Sequence, residues 1–586
     1  MISMLKNVFW RNFRRSRAYG FSLLGHKKIH MAALANDIWP GNIRFGESLL
    51  MGDFTLSDRL FSANDFLITL EKPQTVYPPM AYYMQSFIFL HDLNMISGNA
   101  GRKRARQLIE HWIRHNHSWA HISWNTPAWK PGVVGLRLSA WLSLYDFYAS
   151  TADDDFKRLL MTSFDKQLRY LKRHWREETD PIERFWALKG VIMGELLFPD
   201  RRGYADRLHA LVQSLLTLIQ DQLLPDGGHV SRSPMLHWRF LRDLIDIRNA
   251  LPVMDSKLKV HLEEDNVSTQ KSAPKSQSTI DRETLQNYIQ KMTPLLRLLR
   301  HGDGMLAHFD GELSHLARGL CLEVTAEAID SVLTQTDAET TRPPQRAPDS
   351  GYERCASRNS IFLVNTHPRH IPHDEGLEGS SYREPGLDIL NIEWSVGRHR
   401  VIYVGDVVMQ LHNNSNTIAH NDLSWMTCLN PDETQLLIKR HSKEGHSYIA
   451  FDCTYVGKPS SLYWQRQIYM APKGEELRGH DTFRVPHDCT IAIRFIVNPH
   501  FMMTGEGDKI YLTLKSNTPS IPHGKTTRRK TVDPHEWRFR SMGCDDVLKS
   551  NEEEGDQTLL LIKECEANRS YTFKWSFSQT NSIEDE

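Results

Sequence analysis

Long apolar runs are missing from this chain of 586 residues. No stretch approaches the roughly 18 apolar residues of a membrane-spanning helix, so none is expected. Cysteine is scarce and unpatterned. The seven (Cys321, Cys355, Cys428, Cys453, Cys489, Cys544 and Cys565) are odd in number and contain no CxxC. That argues against a disulfide framework and a structural zinc knuckle and fits reduced thiols. An excess of charge of one sign is also lacking. Lys and Arg total 71, as do Asp and Glu, so nothing in the global balance points to nucleic acid. No GxxxxGK[ST], no GxGxxG ahead of a helix, no HExxH and no GxSxG occur, which removes the usual support for nucleotide, zinc-protease and serine-hydrolase chemistry.

What is present describes a globular chain too long for one ordinary core, so two or more domains are expected. The start, MLKNVFWRNFRRSRAYGFSLLGHKK, is basic and free of acid. Its apolar stretch is too short for a signal-peptide core. A cytoplasmic setting is therefore expected, with the periplasm as the alternative. Phe9, Trp10, Phe13 and Phe21 alternate with Arg11, Arg14, Arg15 and Arg17. Such a segment can rest on an anionic membrane face as a peripheral contact, or dock on the body of the protein.

The first half has helical periodicity. Val134, Leu138, Trp141, Leu142, Tyr145 and Tyr148 form one stripe, and Leu208, Leu211, Val212, Leu215, Ile219 and Leu223 another. Many antiparallel helices joined by short Pro, Gly and Asp turns predict a helical barrel or toroid rather than a four-helix bundle. No fixed-period sequence repeat is visible. Residues 261–283 form a polar insert, expected to be a solvated loop, and 336–350 have linker composition. Beyond them, short runs such as DILNIEWSV, HRVIYVGD and IAIRFIVNP predict an antiparallel β-sandwich. The fold expected is multidomain α + β: an α/α toroid (an incomplete helical barrel) over 1–335, a linker over 336–350 and a sandwich over 351–586.

Three segments have unusual chemistry. In LLPDGGHVSRSPMLH, Pro225 and the glycines stop one helix at Leu224, and a new helix begins near Pro234 with Ser233 as its cap. His229, Ser231 and Arg232 then occupy the intervening loop. An anion is favoured beside the new helix's N-terminus, with Arg232 able to grip a carboxylate; the alternative is a capped surface turn. In RHNHSWAHISWNTPAWKPGVVGLR, Trp119, Trp124 and Trp129 offer apolar platforms for sugar rings, or else pack a helix junction. In SNTIAHNDLSW, His420 and Asn421 follow a predicted strand, where a His can neutralise a carboxylate or act as acid or base. His367, His370 and His373 match no specific metal spacing.

Taken together, WNTPAWKPGVVGLRLSAWL, LLPDGGHVSRSP, HGDGMLAHFDGEL, SGYERC and IAHN resemble the heparinase II/III family over nearly the whole chain. The resemblance implies an α/α toroid, a β-sandwich, a cleft between them, and a polysaccharide lyase acting on an anionic, uronic-acid-containing glycan such as a glycosaminoglycan. The implied reaction is β-elimination: one group neutralises the carboxylate, a base takes the C5 proton and an acid protonates the leaving O4. The sequence departs from the family at two expected catalytic positions, with Leu236 in place of a Tyr and Gly386 in place of a His. A third position has Tyr403 where heparinase-II-like proteins place a metal-ligand Asp, and only His420 matches a ligand there, so no cofactor is expected, with a zinc site as the alternative. The catalytic candidates are then His229 or His237 as base, Arg232 or Arg184 for the carboxylate, and His420 as acid. Trp119, Trp124, Trp129, Arg184 and Asn421 are the substrate-binding candidates. The rival reading is a catalytically degenerate glycan-binding or envelope-associated scaffold. A third, hydrolytic, reading places the chemistry on Asp226 and Asp303.

Overall fold

The computed structural model describes residues 17–23, 37–52, 54–56, 59–61, 78–116, 127–195, 204–264, 277–309, 324–367, 387–411, 434–456, 461–506, 509–515, 536–550 and 557–580. The chain forms two compact units. One comprises 1–230, 235–293 and 313–340; the other comprises 231–234, 294–312 and 341–586.

The first unit is helical. Its main helices are Pro78–Ser86, Ala100–His115, Pro131–Ser143, Asp154–His174, Pro181–Glu195, Tyr204–Asp221 and Pro234–Glu264, followed by Gln277–Leu298, which runs on into the second unit. They form the α/α toroid that the periodicity predicts. The helices Pro131–Ser143 and Pro181–Glu195 are buried almost all round, as inner helices must be. They meet through glycine: a Cβ on Gly190 would lie 2.4 Å from the Gly135 Cα. The outer helix Asp154–His174 is amphipathic, is capped by Asp153 accepting from the Phe156 amide, and ends in Lys172, Arg173 and His174, which suits the helix dipole. Of the stretch 261–283 expected as a polar insert, residues 261–264 and 277–283 are helical. Helix extends to Glu264 and resumes at Gln277, because the stretches on either side still have helix-forming residues; 265–276 lie outside the described residues.

The second unit contains, among the described residues, two eight-stranded antiparallel sheets. One is centred on Cys489–Val497, His399–Leu411 and Leu387–Val396, the other on Ser570–Gln579, Glu476–Arg484 and Ser461–Met470. Alternation along Ser461–Met470 places every second side chain inward. The core is aromatic, with Trp394 against Trp537 at 4.8 Å and Phe495 against Trp575 at 4.9 Å between ring centroids. A buried carboxylate, Asp481, is satisfied within it by Arg466, Trp464 and Trp575, as a charge removed from water requires.

Candidate functional site

LLPDGGHV folds into a tight hairpin. Leu223 and His229 form a β-bridge, the Leu224 amide donates to the Gly228 carbonyl (2.8 Å), the Gly227 amide to Leu224 (3.0 Å) and the Val230 amide to Gln222 (3.0 Å). Asp226 Oδ1 accepts from the Gly228 amide. Gly227 has φ +87°, and a Cβ there would lie 2.1 Å from the Lys291 carbonyl, so the position demands glycine. The preceding helix ends at Asp221, not Leu224, because the hairpin takes the last residues; the next begins at Pro234 as expected.

The hairpin turns His229 inward. His229 and His237 are 2% and 1% exposed, and His229 lies 5.0 Å from the Phe240 ring. His237 Nε2 bonds the Met292 carbonyl (3.1 Å), which places the ring proton on Nε2. Desolvation, then the neighbouring His237, lowers the pKa of His229 to about 3. Desolvation lowers that of His237 to about 4, against weaker upward effects of the Met292 bond and Asp226. Both rings are neutral at ordinary pH, and both are buried. Leu236 is 1% exposed and belongs to the core.

The same hairpin occurs a second time, in RHGDGMLA. Arg300 and Leu306 form the bridge, His301 donates to Met305 (2.9 Å), Gly304 to His301 (3.2 Å) and Ala307 to Leu299 (2.9 Å). Asp303 Oδ1 accepts from Met305, and Gly304 has φ +85°. Here the side chains build a charged cluster. Arg400, 1% exposed, reaches Glu393 Oε2 (3.0 Å), Asp303 Oδ2 (3.3 Å), His308 Nδ1 (2.8 Å) and the Leu306 carbonyl (3.0 Å). The His308 amide donates to Glu393 Oε1 (2.6 Å). His301 bonds Ser395 Oγ through Nδ1 (2.9 Å). Its pKa is held well below the usual imidazole range by desolvation, then by Arg400 and Arg354. A guanidinium can only donate, so His308 Nδ1 accepts and the ring proton sits on Nε2.

Tyr403 joins this cluster through an irregularity in its strand. On the Leu387–Val396 side the pairing steps from Ile392↔Gly405 to Trp394↔Ile402, and on the Cys489–Val497 side from Ile496↔Val404 to Val497↔Ile402. Tyr403 is therefore the extra residue of a bulge. Residues three apart face opposite sides of a regular strand, but the pairing also steps from Trp394↔Ile402 to Ser395↔Arg400 and leaves Val401 and Ile402 both in the core, so Arg400 and Tyr403 share the other face. The Tyr403 ring lies 5.5 Å from the His308 ring and 5.5 Å from the Arg400 guanidinium. His308, Asp303 and Tyr403 are half-buried, over a floor of Arg400 and Glu393.

The other predicted residues are distributed as follows. Arg184 is half-buried on the toroid, with Nε donating to the Glu178 carbonyl (2.7 Å). Nearby Lys130 pairs with buried Glu183 (2.6 Å) and lies 5.3 Å from the Tyr82 ring. Arg232 adopts φ +52°, reaches the Asp349 carbonyl (3.3 Å) and accepts the Tyr352 hydroxyl on its own carbonyl. Trp129 is 1% exposed and packs against Trp112 and Tyr170, the position of a core residue rather than an open platform. Trp119, Trp124, His420, Asn421 and Gly386 lie outside the described residues. The structure brings His229 and His237 together in the toroid. Sequence reasoning missed His308, Arg400 and Glu393 on the sandwich and Lys130, Glu183 and Tyr82 on the toroid. The signal for the first set was HGDGMLAHFDG itself, whose DG turn repeats that of LLPDGGHV.

Among the described residues no cluster of three or more His, Cys, Asp or Glu is arranged to hold a metal ion. Tyr403, at the metal-ligand position of heparinase-II-like proteins, brings a phenol beside a guanidinium, and that pair does not suit a cation. No helix among the described residues is long and apolar enough to cross a membrane.

The Heparinase II/III N-terminus profile matches residues 100–263, and the Heparinase II/III-like, C-terminal profile matches residues 415–558. The chain belongs to the heparinase II/III family. Among solved structures it is similar to heparinase III, with 12% identity and a TM-score of 0.53 over 86% of this chain and 77% of that one. A second heparinase III gives 10% identity and a TM-score of 0.50 over 93% and 86%. At such identities the likeness shows the fold alone. A curated relative, FtsZ-localized protein C of Caulobacter vibrioides (strain NA1000 / CB15N), is 26% identical over 347 residues, which is 58% of this chain and 51% of that protein. The chain thus spans about half the length of that relative.

Proposed function

We propose that this protein binds an anionic, uronic-acid-containing glycan and cleaves it by β-elimination, with the chemistry carried by the sandwich cluster. The observation that carries this reading is the half-buried trio His308, Asp303 and Tyr403 over the buried Arg400–Glu393 pair. His308 donates from Nε2 to the uronate carboxylate, which makes the C5 proton more acidic. Tyr403, as its phenolate, takes that proton. The C5 electrons form the C4–C5 double bond as the C4–O4 bond breaks, and the Tyr403 hydroxyl returns the proton to the leaving O4. Arg184 and Arg232, the half-buried cations expected from the sequence to grip a carboxylate, are the substrate-binding candidates of this reading.

This reading takes the base role away from His229 and His237, because burial makes both rings weak bases and keeps them away from solvent. The test is ultraviolet detection of the unsaturated product over a panel of uronate polymers. Wild type is expected to generate it, Tyr403→Phe to lose on the order of 100-fold or more in rate, and His237→Gln to retain it. Loss in His237→Gln with retention in Tyr403→Phe would reverse the assignment.

A second reading, a glycan-binding scaffold without catalysis, is favoured by the core position of Leu236, where family lyases place a Tyr. The Caulobacter vibrioides relative is named for its localization with FtsZ, which fits an envelope-associated role. Uronate binding with no unsaturated product from any polymer would select it. The cytoplasmic setting and the peripheral membrane contact of the basic N-terminal segment form part of the proposal, and cell fractionation tests them.

A further inference from the structure

The helical unit contains a cavity of about 40 Å³, bordered by the helices Pro181–Glu195 and Pro234–Glu264. It is lined by Asp37, His91, Lys189, Arg239, Arg242 and Asp246, with apolar and small residues completing the wall. Its acidic groups are already supplied with donors. Asp37 Oδ2 accepts from His91 Nδ1 (2.8 Å). Asp246 accepts from Lys189 Nζ (2.6 Å) and Trp39 Nε1 (2.5 Å). Asp243, behind the wall, accepts from Lys189 (2.5 Å), Trp186 (2.9 Å) and Arg239 Nε (3.1 Å).

The Arg242 guanidinium is not supplied in the same way. Arg242 is 7% exposed, and its hydrogen bond within the described residues runs from Nη2 to His91 Nε2 (3.1 Å). Since Arg242 only donates, His91 is the neutral Nδ1–H tautomer and passes no charge between Asp37 and Arg242. Arg242 Nε is buried with no hydrogen-bond partner among the described residues. No carboxylate among them lies within ion-pair distance of this guanidinium; Asp246, Asp37 and Asp243 act on it only from further away. Trp39 and Trp238 flank it at 5.2 and 6.0 Å. Arg239, one turn earlier on the same helix and 4% exposed, spends its Nε on Asp243. The 36 residues before Asp37 contain no Asp or Glu, so the chain leading into this wall has no carboxylate to offer. A buried cation with no carboxylate in ion-pair contact is costly, and the space is that of a few water-sized groups.

We propose that this cavity is a binding site for a small oxyanion, either a single carboxylate group or an inorganic oxyanion, held by Arg242 and Arg239. The two sources share the chemistry of charge-assisted N–H···O bonds to guanidinium. The site stands apart from the sandwich cluster, so failure of either reading leaves the other intact. The experiment is calorimetric titration of the full chain with acetate, glucuronate, sulfate and phosphate at constant ionic strength and chloride. At least one of them is expected to bind saturably. Acetate and glucuronate together indicate a carboxylate site; sulfate and phosphate together indicate an inorganic oxyanion. Arg242→Met is expected to weaken that binding at least tenfold, with little loss of melting temperature in the anion-free protein. Arg239→Gln, which leaves the Arg242–His91 bond in place, serves as the second variant and is expected to weaken it severalfold. No saturable binding by any of the four anions, or equal affinity in wild type and both variants, overturns the proposal.

Discussion

LLPDGGHV and RHGDGMLA fold into the same hairpin, bond for bond, and put it to different uses. Each follows a long helix, each closes with an Asp side chain on an amide two residues on, and each has a glycine at φ near +85°. In the first, the bridge residue after the turn is His229, buried against Phe240. In the second it is Leu306, whose carbonyl takes a hydrogen bond from Arg400. The Asp of the first serves its turn; that of the second also pairs with Arg400. A shared backbone therefore says nothing about shared chemistry. What differs is whether the surroundings are apolar or contain a charge.

The largest expected effect tests that contrast directly. Arg400→Met takes the guanidinium away from Glu393, a carboxylate that is 0% exposed. A loss of about 3–5 kcal/mol is expected in urea unfolding, and a loss under 1 kcal/mol would mean the cluster is not the charged counterpart described. Next is acid sensitivity. His229 and His237 have folded-state pKa values of about 3 and 4, below the unfolded 6.5. A lowered imidazole pKa means that the unfolded chain binds protons first as pH falls. Stability is fully present above pH 6.5 and declines below it, down to the folded values. At about 1.4 kcal/mol per unit, each costs roughly 2–3 kcal/mol by about pH 4.5. His237→Gln should flatten that slope in urea melts recorded from neutral to acid pH; an unchanged slope would show that this ring does not titrate as described.

Gly227→Ala comes third. Positive φ and the Lys291 carbonyl 2.1 Å from the new Cβ together predict a loss of roughly 1–3 kcal/mol, read as a lower denaturation midpoint. The smallest effect sharpens the comparison most. Asp226→Ala and Asp303→Ala each remove one turn hydrogen bond, about 1 kcal/mol. Asp303→Ala additionally removes an Arg400 partner, so it should be the costlier by about 1 kcal/mol. Equal losses would make the two hairpins equivalent after all.

Much of the fold was legible because it rests on periodicity. Stripes at helical spacing in 134–148 and 208–223, and alternation in the short runs past 350, reflect one buried face per element, and that pattern survives any arrangement of neighbours. LLPDGGHV was legible as a turn for the same local reason, since Pro225 and Gly227 restrict the backbone by themselves. The candidate site was less so. His229 looked exposed because a His beside two glycines and two serines has the composition of a loop; only packing against Phe240 makes it a core residue. Trp129 looked like a platform because its neighbours are polar, yet it sits against Trp112 and Tyr170. Arg400, Glu393 and His308 went unnoticed because they are scattered over some 90 positions and share no motif. Tyr403 reads as facing away from Arg400 unless the bulge is known.

The amino-acid order alone determined which segments are helix or strand, where the Pro-Asp-Gly and Gly-Asp-Gly turns fall, and that the chain resembles the heparinase II/III family, since each of these depends on near neighbours. Tertiary structure decided which imidazoles are neutral and buried, which cation faces Glu393, and that Arg242 borders a cavity with no carboxylate in ion-pair contact with it. Those outcomes depend on desolvation and on charges far apart in the chain, and neither quantity exists until the chain has folded.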